Sequence, residues 1–153
     1  MLGELSEQQI DEVLNSQVVG RIGCYGEGTV YVVPVTYAYQ DGYIYAHSSE
    51  GTKIRMMREN PQVCFEVEDM ENMANWRSVI AWGTYEELTE ETQRDEGLRI
   101  LFNRISSLVI SETVRPHRQT MSRDLDETER KNVVYRIRVQ RRTGRFEESQ
   151  GSY

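Results

Sequence analysis

Residues 41–53 read Asp-Gly-Tyr-Ile-Tyr-Ala-His-Ser-Ser-Glu-Gly-Thr-Lys, and the changes of pattern within them decide the fold. Asp41-Gly42 is a tight-turn pair, because a two-residue hairpin turn needs the left-handed backbone that Asp and Gly adopt at least cost. Tyr43 to Ala46 is aromatic and apolar, hence a strand. Gly51 then opens a segment with Ile54, Met57 and Arg58 on one side, the spacing of a two-turn helix. Asn60-Pro61 stops it, since proline cannot continue a helix and restrains the residue before it.

Towards the N-terminus, Thr29 to Tyr39 is rich in β-branched and aromatic residues, Gly26 to Gly28 reads as a turn, and Val18 to Tyr25 is an apolar run with glycines at 20 and 23. This hairpin and the strand from Tyr43 predict a three-stranded meander. Ser6 and Gln9 form a capping box for a first helix carrying Ile10, Val13 and Leu14 and reaching Asn15. Towards the C-terminus, Val63, Phe65 and Val67 alternate with polar residues as a half-buried strand does, Asp69 to Asn75 is a polar loop, and Trp76 to Leu88 is another long strand. Thr89 caps a helix with Glu90 and Glu91 in its first turn and Leu98, Leu101, Phe102 and Ile105 on its apolar side, ending near Ser106. Residues 107–132 hold a breaker, Pro116, and a charged run from Asp124 to Arg130 that reads as a helix or a solvated loop. Val133, Tyr135, Ile137 and Val139 then mark a last strand.

Six strands with short turns predict a mainly β fold with peripheral α-helices, a six-stranded antiparallel barrel, because closing a sheet removes its exposed edges. With 153 residues the chain has room for one domain, taken as 1–153. Apolar residues make up 38%, and the strands are punctuated by glycine, so part of the wall lacks cover and a homodimer is expected to supply it. The net charge of −7 repels polyanions and argues against nucleic acid as a partner. No apolar run nears the ~20 residues of a membrane helix, and the opening MLGELSEQQ has no basic residue, so a soluble, cytoplasmic protein without membrane contact is expected. Cys24 and Cys64 lie in apolar strands and read as buried free thiols.

Two segments point to chemistry. His47-Ser48-Ser49-Glu50-Gly51-Thr52-Lys53 places hydroxyls, a glycine, a lysine and free backbone N–H groups at a helix start, the makings of a phosphate cradle. An ordinary helix start, capped by serine with Lys53 exposed, explains the same letters. Val33-Pro34-Val35-Thr36 puts a proline inside a strand pattern, which belongs at an edge or bulge where backbone groups are free to face a flat heteroaromatic. A plain edge proline is the alternative. His47 and His117 have no partner at ligand spacing, so no metal is expected, and no nucleophile motif identifies a catalytic residue. Trp76, Trp82, Tyr37, Tyr39, Tyr43 and Tyr45 suit either stacking on a cofactor or the core. The arginines at 136, 138, 141, 142 and 145 read as a basic tail with a solvated face, with anion binding the lesser alternative.

In order and spacing, Gly20-Arg21-Ile22-Gly23, Val33 to Tyr37, Asp41 to Ser48, Gly51-Thr52-Lys53, Asn60 to Phe65, Arg77-Ser78-Val79 with Gly83, and Tyr135-Arg136-Ile137 resemble the pyridoxamine 5'-phosphate oxidase-like, FMN-binding split-barrel family, nearest its nitroimidazole-resistance branch. The resemblance implies a homodimeric split barrel holding two FMN molecules at the subunit interface. It implies that Val33, Pro34, Val35, Thr36 and Tyr37 run along the isoalloxazine, that His47, Ser48 and Ser49 reach the ribityl and phosphate region, and that Gly51, Thr52 and Lys53 hold the phosphate. Trp76, Arg77 and Ser78 resemble a family segment that reaches the flavin, in one arrangement from the other subunit. Tyr37 stands where the true oxidase has a lysine, Thr52 where it has an arginine, and the arginine-rich substrate motif is missing before Tyr153. The function implied is a flavin-dependent oxidoreductase passing electrons from a nicotinamide donor to a small planar or nitroaromatic acceptor, with no side chain singled out as catalytic. A non-catalytic flavin- or haem-binding protein, with His47 as axial ligand, is the alternative.

Overall fold

The computed structural model describes residues 1–108 and 132–150. Pro116, His117 and the charged run at 124–130 lie outside the described residues. The elements are β1 (Leu2–Glu4), α1 (Glu7–Ser16), β2 (Val19–Gly26), β3 (Thr29–Thr36), β4 (Ala38–Gln40), β5 (Tyr43–Ser48), α2 (Thr52–Glu59), β6 (Gln62–Asn72), β7 (Asn75–Glu87), α3 (Glu91–Leu108) and β8 (Val133–Glu147). The class is the expected one, mainly β with peripheral helices in an antiparallel sheet. Eight strands stand among the described residues where six were expected, because β1 and β4 are three residues long and too short for alternation to register.

Local chemistry sets the turns. Glu27 and Gly28 have φ of 53° and 74°, and Asp41 and Gly42 have φ of 52° and 82°, so two two-residue turns of left-handed backbone close β2–β3 and β4–β5. Ser6 accepts from the Gln9 N–H and the Gln9 side chain accepts from the Ser6 N–H, the capping box that starts α1.

The sheet runs β3-β2-β6-β7-β8-β5-β4, with β1 paired to the end of β8. The expected meander is therefore corrected. Residues 29–39 are not one strand; the chain breaks at Tyr37, β3 pairs with β2, and β5 leaves β3 for β8. Tyr37 is wholly buried: its N–H donates to the Val18 carbonyl (2.9 Å), the last rung in register with the β2–β3 ladder, and its hydroxyl donates to the Leu14 carbonyl (2.7 Å), after which the chain leaves β2. β3 and β4, the two ends of the sheet, are thus consecutive in the chain, and the sheet curls round a shared core that includes Ile22, Phe65, Val79, Tyr135 and Ile137. A second, smaller cluster of Tyr45, Leu88, Leu98 and Val134 lies beneath α3.

Two further readings change. In α2 the buried side holds Ile54, Met56 and Met57, while Arg58 is exposed and ion-paired. The arginine tail belongs to β8, which runs to Glu147; Arg138, Arg141 and Arg145 are exposed, as a solvated face would be, while Arg136 and Arg142 are half-buried. Arg136 donates to Glu86 (2.9 Å), Arg141 lies over the Trp82 ring (4.1 Å), and Arg142 pairs with Glu7 and Asp11 of α1 and donates to the Tyr39 hydroxyl.

The β7–β8 register shifts between Trp82 and Gly83, where a Cβ on Gly83 would lie 2.3 Å from the Arg138 carbonyl oxygen. Gly83→Ala should therefore cost about 2 to 3 kcal/mol in urea unfolding, in the range of core overpacking. Gly23→Ala, whose Cβ would meet nothing nearer than 3.8 Å, should change stability far less.

Candidate functional site

β5 pairs with β8 from Tyr43 opposite Arg138 to Ser48 opposite Val133, and this ladder delivers the chain to the start of α2. Gly51 is the N-cap, with no side chain capping the helix, so the first N–H groups of α2 keep the open donors of a helix start. The first α-helical bond runs from the Arg55 N–H to the Gly51 carbonyl (3.1 Å). Ser48 does not cap; its hydroxyl donates to the Ser49 carbonyl (2.9 Å). Thr52 is exposed and accepts a long bond from Arg55 (3.4 Å). Lys53 is half-buried rather than exposed, and burial pulls its ammonium below the usual lysine range, against a small opposing effect of Cys24. The Cys24 thiol donates to the Met56 sulfur (3.8 Å), and Cys24 faces Tyr31 across β2–β3, so α2 leans on this hairpin. Ser48, Ser49, Gly51, Thr52 and Lys53 thus gather at one end of the barrel, the arrangement that suits an anion: open N–H donors and one partly desolvated cation.

The strand predicted to face a flat ligand divides by parity. Val33 and Val35 turn inward, Pro34 and Thr36 are exposed on the outer side, and β3 is the end of the sheet, where a residue without an N–H disturbs least. Tyr37 does not join them. Its ring packs edge-on against Phe65 (4.8 Å) and burial pushes its phenol pKa up, so this side chain belongs to the core and has no face open to a ligand. His47 alternates with the buried Ala46 and packs edge-on against Phe102 of α3 (5.7 Å), on the side that α3 covers.

Trp76, Arg77 and Ser78 are not brought to the cradle within one chain. Glu87, at the other end of β7, is hydrogen-bonded to Arg58 of α2, and Ser78 is about 30 Å from it along an extended strand at ~3.3 Å per residue. The Trp76 indole donates to Glu147 (3.0 Å) and Arg77 donates to Glu12 (3.0 Å). The cavity they line, about 240 Å³, also holds Asp69, Glu71, Glu147 and Glu148, surroundings that repel a phosphate.

The pyridoxamine 5'-phosphate oxidase family model matches residues 6–146. The chain belongs to that family. A curated relative, an uncharacterised Rhizobium meliloti protein, is 32% identical over 84 residues, a match spanning 55% of this chain and 56% of that protein. The solved structure of an FAD-binding protein from Mesorhizobium loti is 30% identical, with a TM-score of 0.75 over 95% of this chain and 98% of that one. A 5-nitroimidazole antibiotic resistance protein of Bacteroides thetaiotaomicron, so described provisionally, shares the fold at 21% identity, with a TM-score of 0.74 over 95% of this chain and 87% of that one.

This family member carries groups that sequence reading did not find. On the outer face of the sheet Arg21 of β2 donates to Glu66 (3.3 Å) and Glu68 (3.0 Å) of β6, and Glu66 is pushed up to about 7 by burial and by its carboxylate neighbour Glu68, against Arg21. Around them Val19, Tyr25, Val30 and Val32 are exposed on the same face, and Cys64, read as buried, is half-buried there opposite Gly23. The only sequence signal was the alternation of Glu66 and Glu68 with Phe65 and Val67, which fixes their face but not their partner. Among the described residues no cluster of side chains is arranged to hold a metal, and no helix is long and apolar enough to cross a membrane.

The Glu66 shift has a sign. Between an unfolded value of about 4.3 and the folded value, the native state holds a proton that the unfolded chain releases, so stability should fall as pH rises from about 5 to 7. Melting curves at pH 5, 6, 7 and 8 should show Glu66→Gln losing part of that fall; parallel curves for parent and variant would contradict the assignment.

Proposed function

We propose that the protein is a flavoprotein that binds FMN at a homodimer interface and passes electrons from a nicotinamide donor to a small planar acceptor, nitroaromatics included. The observation that carries this reading is Lys53, half-buried beside the uncapped start of α2 in a member of this family. A cation paying a desolvation cost recovers it when an anion binds, and the open N–H groups of the helix start add charge-assisted hydrogen bonds. Gly51, Thr52 and Lys53 would hold the phosphate, Ser48 and Ser49 the polyol beside it, and the Val33–Thr36 edge the ring system through its backbone. A flavin, when bound, supplies the electron transfer, and the protein supplies binding, orientation and electrostatics.

The exposed Val19, Tyr25, Val30 and Val32 support a second copy as the cover of the outer face, since an apolar patch of this kind marks an association surface. The same reading requires Trp76 and Ser78 to reach the partner's cradle, since β7 carries them away from the one in their own chain. With Tyr37 in the core, the position that is cationic in the true oxidase is closed, which favours an uncharged acceptor over pyridoxamine phosphate. FAD is the second reading, favoured by the FAD-binding Mesorhizobium loti protein at 30% identity.

Four measurements test this. Mass spectrometry of the small molecule released on denaturation separates FMN from FAD. Light scattering should give twice 17.9 kDa, and a stable monomer with full flavin occupancy would overturn the interface site. Lys53→Ala should weaken FMN about ten- to a hundredfold, as a charge-assisted bond of roughly 1.5 to 3 kcal/mol requires, and leave riboflavin nearly unchanged. In anaerobic stopped flow the flavin should be reduced by NADH or NADPH; a flavin that stays oxidised for minutes with both would remove the reductase reading.

A further inference from the structure

We infer that Glu50 and Arg58 form a clamp that holds the loop before α2 in its anion-binding shape, which makes both of them positioning residues for the phosphate end of the ligand; this rests on the flavin-phosphate reading above. The loop needs such a device. Gly51 gives it a helix start with no side-chain cap, and the Ser48 hydroxyl bonds only to the carbonyl next door. Residues 49–51 follow the last ladder pair of β5, so their conformation depends on what Glu50 holds.

Glu50 is held by Arg58, which is itself held by Glu87 and, through it, Tyr85. Arg58, in the last turn of α2, donates through Nη1 to Glu50 Oε2 (2.9 Å) and through Nη2 to Glu50 Oε1 (2.8 Å), a bidentate pair closing eight residues of chain. The same guanidinium donates through Nε to Glu87 Oε1 (2.8 Å) and through Nη2 to Glu87 Oε2 (3.2 Å). The Tyr85 hydroxyl donates to Glu87 Oε1 (2.7 Å), and the Tyr85 ring lies against the buried Tyr135. The loop is thereby tied through α2 to the barrel wall. These bonds, to Glu50 first and Glu87 second, raise the Arg58 pKa, and all three guanidinium nitrogens are committed to carboxylates. Arg58 is therefore no further phosphate cation beside Lys53.

Charge and position predict opposite outcomes here. The cluster has two carboxylates for one guanidinium, so if it acted on a phosphate by charge alone, removing Glu50 would tighten binding. If it acts by holding the loop, removing Glu50 frees backbone that the ligand must then order, and binding weakens. Glu50 is largely exposed, so its replacement should not disturb folding. We expect Glu50→Ala to weaken FMN about tenfold, the cost of reordering about one residue, while riboflavin affinity stays within about twofold and the melting temperature stays near the parent value. Glu50→Gln, which keeps an acceptor for Arg58 without the charge, should recover part of the loss. FMN affinity unchanged or tighter in Glu50→Ala, with Lys53→Ala still selectively weakened for FMN, would overturn the clamp and leave the phosphate site standing. No selective loss in Lys53→Ala would overturn the phosphate site and the clamp with it.

Discussion

The corner at Tyr37 is the constraint on which the rest of the barrel depends. A phenol with no exposed surface is tolerated in a core only if its hydroxyl is bonded, and here it donates to the Leu14 carbonyl at the end of α1 while the Tyr37 N–H donates to the Val18 carbonyl. The backbone bond is the last rung on β2, and the side-chain bond anchors the residue to α1 at the point where the chain leaves β3. From there Ala38 to Gln40 run to the far end of the sheet, where β4 pairs with β5, and so make the first and last strands of the sheet neighbours in sequence. The ring on Phe65 ties the same corner to β6.

Closure by a corner rather than by a ladder leaves β3 with an open side, and the functional reading grows from that. Pro34 removes a donor from an edge that has no partner strand among the described residues, so the outer backbone of β3 is open there. On the neighbouring face, apolar side chains of β2 and β3 surround the Arg21–Glu66–Glu68 triad, a polar group that a covering surface would have to satisfy. At the end of β5 an uncapped helix start and a half-buried lysine face the same hairpin through Cys24 and Met56.

Much of this was legible in the chain. The capping box at Ser6, both left-handed turns, the stop at Asn60-Pro61 and the alternation of 63–67 are local, since each depends on interactions within a few residues. The cradle residues are consecutive, so their proximity needed no tertiary knowledge. Three readings failed for one shared reason: the deciding contacts are remote in sequence. Tyr37 looked like the continuation of a strand because the bond from its hydroxyl to Leu14 cannot be seen in the letters around it. Arg136 and Arg142 of β8 looked solvated because their partners are Glu86, Glu7 and Asp11. Arg58 looked like part of an apolar helix side because Glu87 lies 29 residues away.

The sequence by itself determined the places of the three helices, the two left-handed turns and the cores of the longer strands, because hydrophobic period, caps and turn pairs act through nearest neighbours along the chain. It also determined the chemical inventory of the cradle. Only the tertiary structure decided which strands pair, that the Tyr37 side chain is a corner buried in the core, that Lys53 is partly desolvated, and that Arg58 is saturated by carboxylates from the loop before α2 and from β7. Burial and charge pairing depend on what lies across space from a side chain, and a linear pattern specifies a face without specifying what covers it.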